Sequence, residues 1–232
     1  MARPELLRED VSIMLRDGSS TSGVLALPGE EKRRAGVIVA HGAGNDMTAD
    51  LVLAFADGLA LAGYPTLRFN FLYTERGRKT PDKYETLADT WLSAAVFFRE
   101  RLGGQIDFWV AAGKSMGGRV ASQMAADGFL SAHGLIFLGY PLHPAGHEEK
   151  LRDAHLYRIT MPMLFFAGTR DPLCNLERLR PVLKGLAVPW DLRIVENGDH
   201  SFHISKSTST TKEDIYRGIV EESASWIEKI SK

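Results

Sequence analysis

Six short apolar runs alternate with stretches long and amphipathic enough for helices, and this alternation constrains the fold more than any other feature of the chain. The runs lie at 36–40 (GVIVA), 66–71, 106–112, 134–139, 163–167 and 192–195. They are apolar throughout and not at every second position, so they read as strands covered on both faces, the condition of a parallel sheet between helical layers. Helices are expected near 48–62, 84–101, 116–127, 175–185 and 212–230. Val120 and Met124 mark an apolar face on the third, and Trp226, Ile227 and Ile230 a packing edge on the last. Ahead of these units, 11–15 and 21–27 flank the turn signal Asp17-Gly18-Ser19 and read as an edge β-hairpin. The expectation is an α/β fold with an eight-stranded, mostly parallel sheet and helices on both faces. No repeat and no long Gly/Ser- or Pro-rich linker interrupts it, so residues 1–232 read as one domain. The segment 141–162 has room for a small helical insertion only, and 205–211 (SKSTSTT) reads as a mobile loop before the last helix.

Composition narrows the function classes. With 44% hydrophobic and 25% charged residues the chain is that of a folded globular protein, not a disordered one. Lys and Arg total 28 against 29 Asp and Glu, a formal charge of -1, so no global field draws it to nucleic acid or an anionic membrane. Residues 1–10 are charged and lack the apolar core of a signal peptide, and no apolar stretch reaches the length of a membrane span. The only cysteine, Cys174, leaves neither a disulfide framework nor a cysteine zinc cluster, which suits a cytoplasmic protein.

The sharpest local signal is Gly113-Lys114-Ser115-Met116-Gly117-Gly118, directly after the strand FWVAA and directly before a helical run. A nucleophile on a tight strand-to-helix turn sits in a strained backbone, and side chains two residues to either side would collide with it, so glycines belong at 113 and 117. The helix start offers free N–H groups and a positive dipole end to a developing oxyanion, with Met116 N–H the first donor. Gly-Lys-Ser also occurs in phosphate-binding P-loops, but that motif needs a glycine at 108, where this chain has Phe108 inside the strand.

A serine hydroxyl needs a base. His200 follows the last strand in Val195-Glu196-Asn197-Gly198-Asp199-His200, with His203 as the alternative. An orienting carboxylate is expected at Asp171, which ends the run MLFFAGTRD. Asp199 and Glu196 are nearer in sequence, yet neighbours on an extended chain point apart. After the strand GVIVA, His41-Gly42-Ala43-Gly44 can bend its backbone toward the nucleophile, with Ala43 N–H as second oxyanion donor and His41 holding the loop by hydrogen bonds. His143 and His147 bracket Pro144 and Gly146, which spoil a helical metal site, so no metal and no cofactor is expected.

Together these segments resemble the α/β-hydrolase family from about residue 10 to the end. The compact size without a large cap domain is similar to its dienelactone-hydrolase-like branch, although enzymes of that name use cysteine where this chain has Ser115. The strings HGAGNDM, RFNF and GKSMGGR are closer to a branch whose eukaryotic relatives include a regulatory subunit of a histone-acetyltransferase complex. The resemblance implies a nucleophile, acid and base in the order Ser115, Asp171, His200, an acyl-enzyme on Ser115, and hydrolysis of a small carboxylic ester or thioester. Its alternative is a hydrolase-shaped interaction or regulatory module with an unused pocket. The loop 72–81 would rim the mouth, and Arg76, Arg78 and Lys79 there could attract a carboxylate or phosphate on the substrate. Lys114 is assigned no catalytic role, and neither the acyl group nor the oligomeric state is readable.

Overall fold

In the computed structural model, which describes residues 6–29, 32–204 and 210–232, a single eight-stranded sheet runs through the molecule in the order β1-β2-β4-β3-β5-β6-β7-β8. The strands are β1 (Leu6–Met14), β2 (Ser20–Pro28), β3 (Ala35–Ala40), β4 (Thr66–Phe69), β5 (Phe108–Lys114), β6 (Gly134–Leu138), β7 (Met163–Gly168) and β8 (Trp190–Val195). From β4 to β8 every pairing is parallel, while β2 pairs antiparallel with both β1 and β4. The helices are α1 (Asp50–Leu61), α2 (Leu72–Glu75), α3 (Tyr84–Leu102), α4 (Met116–Ala126), α5 (Leu176–Lys184) and α6 (Lys212–Ile230).

The pleat sorts each apolar strand between two cores. Val37, Val39, Val110, Ala112, Ile136 and Leu138 face the layer of α1 and α6. Their neighbours Ile38, Ala40, Ala111, Leu135 and Phe137 face α3, α4 and α5. Each strand therefore feeds both layers, which is why its sequence carries no polar alternation. The last helix begins in a capping box in which Thr211 and Asp214 satisfy each other's backbone N–H.

Several expected boundaries move. The hairpin is longer than 11–15 because β1 pairs with β2 from Leu6 onward, through charged residues that an edge strand tolerates. β4 stops at Phe69, not 71: Asn70 N–H still donates to the Ser22 carbonyl of β2 (2.9 Å), but its side chain ties it to the loops, with Oδ1 accepting Met47 N–H (2.8 Å) and Nδ2 donating to Glu75 (2.8 Å). Residues 72–75, expected in a loop, make the short helix α2. Within 141–162 the helical content is one 3-10 turn, Leu156–Arg158. The expected mobile loop falls mostly on 205–209, outside the described residues. Among those described, no helix is long and apolar enough to cross a membrane.

Candidate active site

All the parallel strands end at one edge of the sheet, and the loops that leave this edge meet beside β5, the place where ligands bind in sheets of this kind. Ser115 occupies the turn between β5 and α4 with φ 50° and ψ -113°, a conformation that L side chains seldom adopt. The flanking glycines are required, for a reason different from the expected collision with the serine itself. A Cβ on Gly113 would lie 2.2 Å from the Gly118 nitrogen, and one on Gly117 would lie 2.6 Å from the His41 carbonyl. The first glycine lets the turn close on its own helix; the second lets the helix approach the end of β3. Trp91 from α3 secures the same turn by donating its indole N–H to the Gly117 carbonyl (3.1 Å).

The loop after β8 brings His200 over this hydroxyl, with Nε2 2.8 Å from Ser115 Oγ. Nδ1 lies 2.7 Å from Asp171 Oδ2, and the Asp171 side chain is fully buried. Its other oxygen accepts Leu173 N–H (2.8 Å). With Nδ1–H donating to the carboxylate, the free lone pair of Nε2 faces the serine O–H, the tautomer a base needs. His203 is exposed and pairs at 3.5 Å with Asp199 instead. Asp199 serves the loop: its Oδ1 accepts the N–H groups of Ser201 (2.7 Å) and His203 (2.9 Å). Burial would raise its pKa, but these bonds outweigh it and hold the carboxyl below the usual range. Glu196 is exposed.

The loop after β3 completes the surroundings. His41 is buried and uses both ring nitrogens: Nδ1 donates to the Gly42 carbonyl (2.8 Å) and Nε2 accepts Phe71 N–H (3.0 Å). Burial lowers its pKa from the ordinary histidine value and keeps it neutral. The strings HGAG and RFNF therefore interlock, since Phe71 holds His41 while Asn70 holds Met47. Ala43 and Met116 both border the cavity beside Ser115, and among the described residues neither N–H donates to another backbone group. Ala43, Met116 and Ser115 thus line one space.

That cavity has a volume of about 590 Å³, within the range of small-molecule sites. Its wall is largely apolar, from Leu87, Met116, Val120 and Leu173, and it carries Arg119 and Arg152. Arg76, Arg78 and Lys79 are exposed and are not among its lining residues, although Arg78 pairs with Asp82, which is. The guanidiniums among the lining residues come instead from α4 and from the segment after β6, while the basic residues that follow α2 lie outside the lining. Arg119 had a signal in the sequence, since four residues on a helix return to the face of Ser115. Arg152 had none.

Two further buried groups surround the site. Lys114 lies under the turn, where burial, opposed by the charges of Asp171 and Asp199, lowers its pKa to about 8. A Cβ on Gly139 would come within 3.4 Å of its Nζ and 3.5 Å of His200 Cε1, so ammonium and imidazole flank the same glycine. Farther along α4, Ser122 Oγ lies 2.8 Å from His155 Nε2, a second serine–histidine contact. His143 is tied to the backbone, accepting Asn175 N–H (2.9 Å) through Nε2, while His147 reaches Glu149 (3.2 Å). No cluster of three or more His, Cys, Asp or Glu able to hold a metal occurs among the described residues.

Comparison with known proteins agrees with this architecture. The dienelactone hydrolase from Anabaena variabilis superposes with a TM-score of 0.75 at 19% identity, covering 98% of this chain and 99% of its own. A lidless α/β serine hydrolase from Xanthomonas campestris gives 0.75 at 20% identity over 94% of each chain. A serine hydrolase homologue from Coxiella burnetii gives 0.70 at 19% identity, covering 95% of this chain and 96% of that one. At these identities the likeness establishes the fold, including the lack of a large cap. The sequence profile of the family described as Alpha/beta hydrolase domain matches residues 33–228, and the chain belongs to that family.

Proposed function

We propose that this protein is a serine hydrolase acting on a small carboxylic ester or thioester, with Ser115 as nucleophile, His200 as general base and acid, and Asp171 as the orienting carboxylate. The observation that carries the reading is the continuous chain Ser115 Oγ, His200, Asp171, with links of 2.8 and 2.7 Å, opening on the cavity. Ser115 Oγ attacks the carbonyl carbon while its proton passes to Nε2. The carbonyl oxygen becomes an oxyanion, stabilised by the N–H groups of Met116 and Ala43. His200 then returns the proton to the departing alcohol or thiol, leaving the acyl group on Ser115. Water attacks the acyl-enzyme with His200 again taking a proton, and His200 returns it to Ser115 Oγ as the acyl bond breaks and the acid is released. Asp171 stays ionised and stabilises the imidazolium that forms twice in each turnover. Esterase and serine hydrolase relatives with the same fold support the assignment.

The test is labelling with a fluorophosphonate probe together with turnover of short ethyl and p-nitrophenyl esters. The folded protein is expected to be labelled at Ser115 and to hydrolyse the esters. A folded protein that neither labels nor turns over any ester removes the proposal.

A further inference from the structure

The cavity beside Ser115 holds two guanidiniums, of Arg119 and Arg152, that have no acidic partner among the described residues. Among the nearby carboxylates, Asp127 pairs with Arg158 (2.7 Å) and Asp153 accepts from the Tyr157 hydroxyl (3.2 Å); Asp82 lines the same cavity and pairs with Arg78 through Oδ1, while its buried Oδ2 has no partner among the described residues and makes no ion pair with either guanidinium. The side chain of Arg152 makes one weak bond, Nη1 to the Pro141 carbonyl at 3.5 Å. Both side chains are half-buried, so water does not fully screen them. Their charge is felt by neighbours. Burial and then the Arg119 charge weaken proton binding at Arg152. Burial, then Arg119 and Arg158, push His155 down to about 4. Two like charges held together at a cavity wall cost free energy in the empty protein, and an anion placed between them would remove that cost.

We propose that the substrates are esters or thioesters bearing a second, anionic group, a carboxylate or phosphate, which sits on Arg119 and Arg152 while the acyl carbonyl lies at Ser115. This rests on the hydrolase reading above and adds the substrate class. Arg119 follows Ser115 by four residues, about 6 Å of helix rise, so a short spacer joins the two groups of the substrate. The apolar wall from Leu87, Met116 and Val120 suits a hydrocarbon spacer. Guanidiniums bind such groups through paired, charge-assisted hydrogen bonds, which a neutral ester end cannot form.

The experiment compares kcat/KM for the monoethyl esters of succinic, glutaric and adipic acid, and for a phosphate-bearing butyrate ester, with that for neutral ethyl pentanoate. The best anionic ester is expected to exceed the neutral one by about ten- to a hundredfold. The preference should collapse toward unity in Arg119→Gln and Arg152→Gln and be partly kept in Arg119→Lys. The phosphate and carboxylate arms show which anion fits better. In Ser115→Ala, equilibrium binding of the same monoesters is measured by calorimetry, again with and without Arg119→Gln. Turnover of the neutral ester with no anionic preference leaves the hydrolase reading standing and overturns this proposal. Arg119-dependent binding without turnover of any ester removes the hydrolase reading, and with it the substrate assignment, and leaves only an anion site on Arg119 and Arg152. A preference lost in Arg76→Gln but not in Arg119→Gln moves the anion to the rim and also overturns it.

Discussion

Two serines on or beside α4 each lie 2.8 Å from a histidine, Ser115 from His200 and Ser122 from His155, yet only the first pair has the surroundings that the proposed mechanism requires. Behind His200 stands a buried carboxylate that fixes the tautomer; the other contact at the His155 Nε2 is the Tyr140 hydroxyl at 3.2 Å. Ser122 gives its proton to the Arg119 carbonyl (2.7 Å), and Tyr140 gives its own to the Arg152 carbonyl (2.6 Å). Both hydroxyls can therefore only accept from His155, which reverses the direction of transfer a base requires. Burial and two arginines hold that imidazole near a pKa of 4, too weak to take a proton from an alcohol at neutral pH. Ser122 is also fully buried in mid-helix, without backbone strain to present it. The lesson is that a serine–histidine distance identifies a contact; the hydrogen-bond direction and the group behind the ring identify a nucleophile.

The largest effect expected from this contrast lies in Ser115→Ala, which should abolish fluorophosphonate labelling and lower ester turnover by about a millionfold, the scale for loss of a serine nucleophile. Ser122→Ala should keep the label and stay within about threefold of wild type; a label that vanishes in Ser122→Ala and persists in Ser115→Ala would invert the assignment. Next, Asp171→Asn should lower kcat by about 10⁴-fold with the fold intact, by favouring the wrong imidazole tautomer. Steady-state kinetics beside far-ultraviolet circular dichroism separate that from misfolding.

Lys114 sharpens the comparison in stability. Its proton is bound near 10.5 in the unfolded chain and near 8 in the folded one, so the folded state is penalised below pH 8 and gains stability as pH rises from 8 to 10.5. Lys114→Met should raise the unfolding free energy at pH 7 by about 2 kcal/mol and flatten that alkaline rise, as read by urea denaturation at pH 7 and 9.5. The His155 effect has the opposite pH window. Its pKa falls from 6.5 to about 4 on folding, so stability is whole above 6.5 and is lost as pH drops toward 4. After discount for partial exposure this is on the order of 1 kcal/mol per pH unit, and it should be absent in His155→Gln.

The sheet was legible because its strands are apolar on both faces, a property of single residues in a row. Strand ends then pointed to Ser115, Asp171 and His200, since a parallel sheet brings such ends together whatever their separation in sequence. Legibility failed where a residue's neighbours come from other segments. The Asn70 side chain, just past β4, finds its partners at Met47 and Glu75, and Arg76 and Arg78 follow a four-residue helix with no periodic pattern to reveal it. Arg152 reaches the cavity from an irregular stretch after β6, and no spacing rule connects it with Ser115.

The left-handed backbone at Ser115 carries an evolutionary and practical liability. Glycine adopts that conformation freely, so replacing the serine by glycine would release about 1–3 kcal/mol of strain, offset by about 0.5–1 kcal/mol from greater freedom of the unfolded chain. A library of this chain sorted only by survival of heating would thus enrich molecules that have traded their hydroxyl for robustness, and any thermostabilisation campaign must score turnover alongside melting.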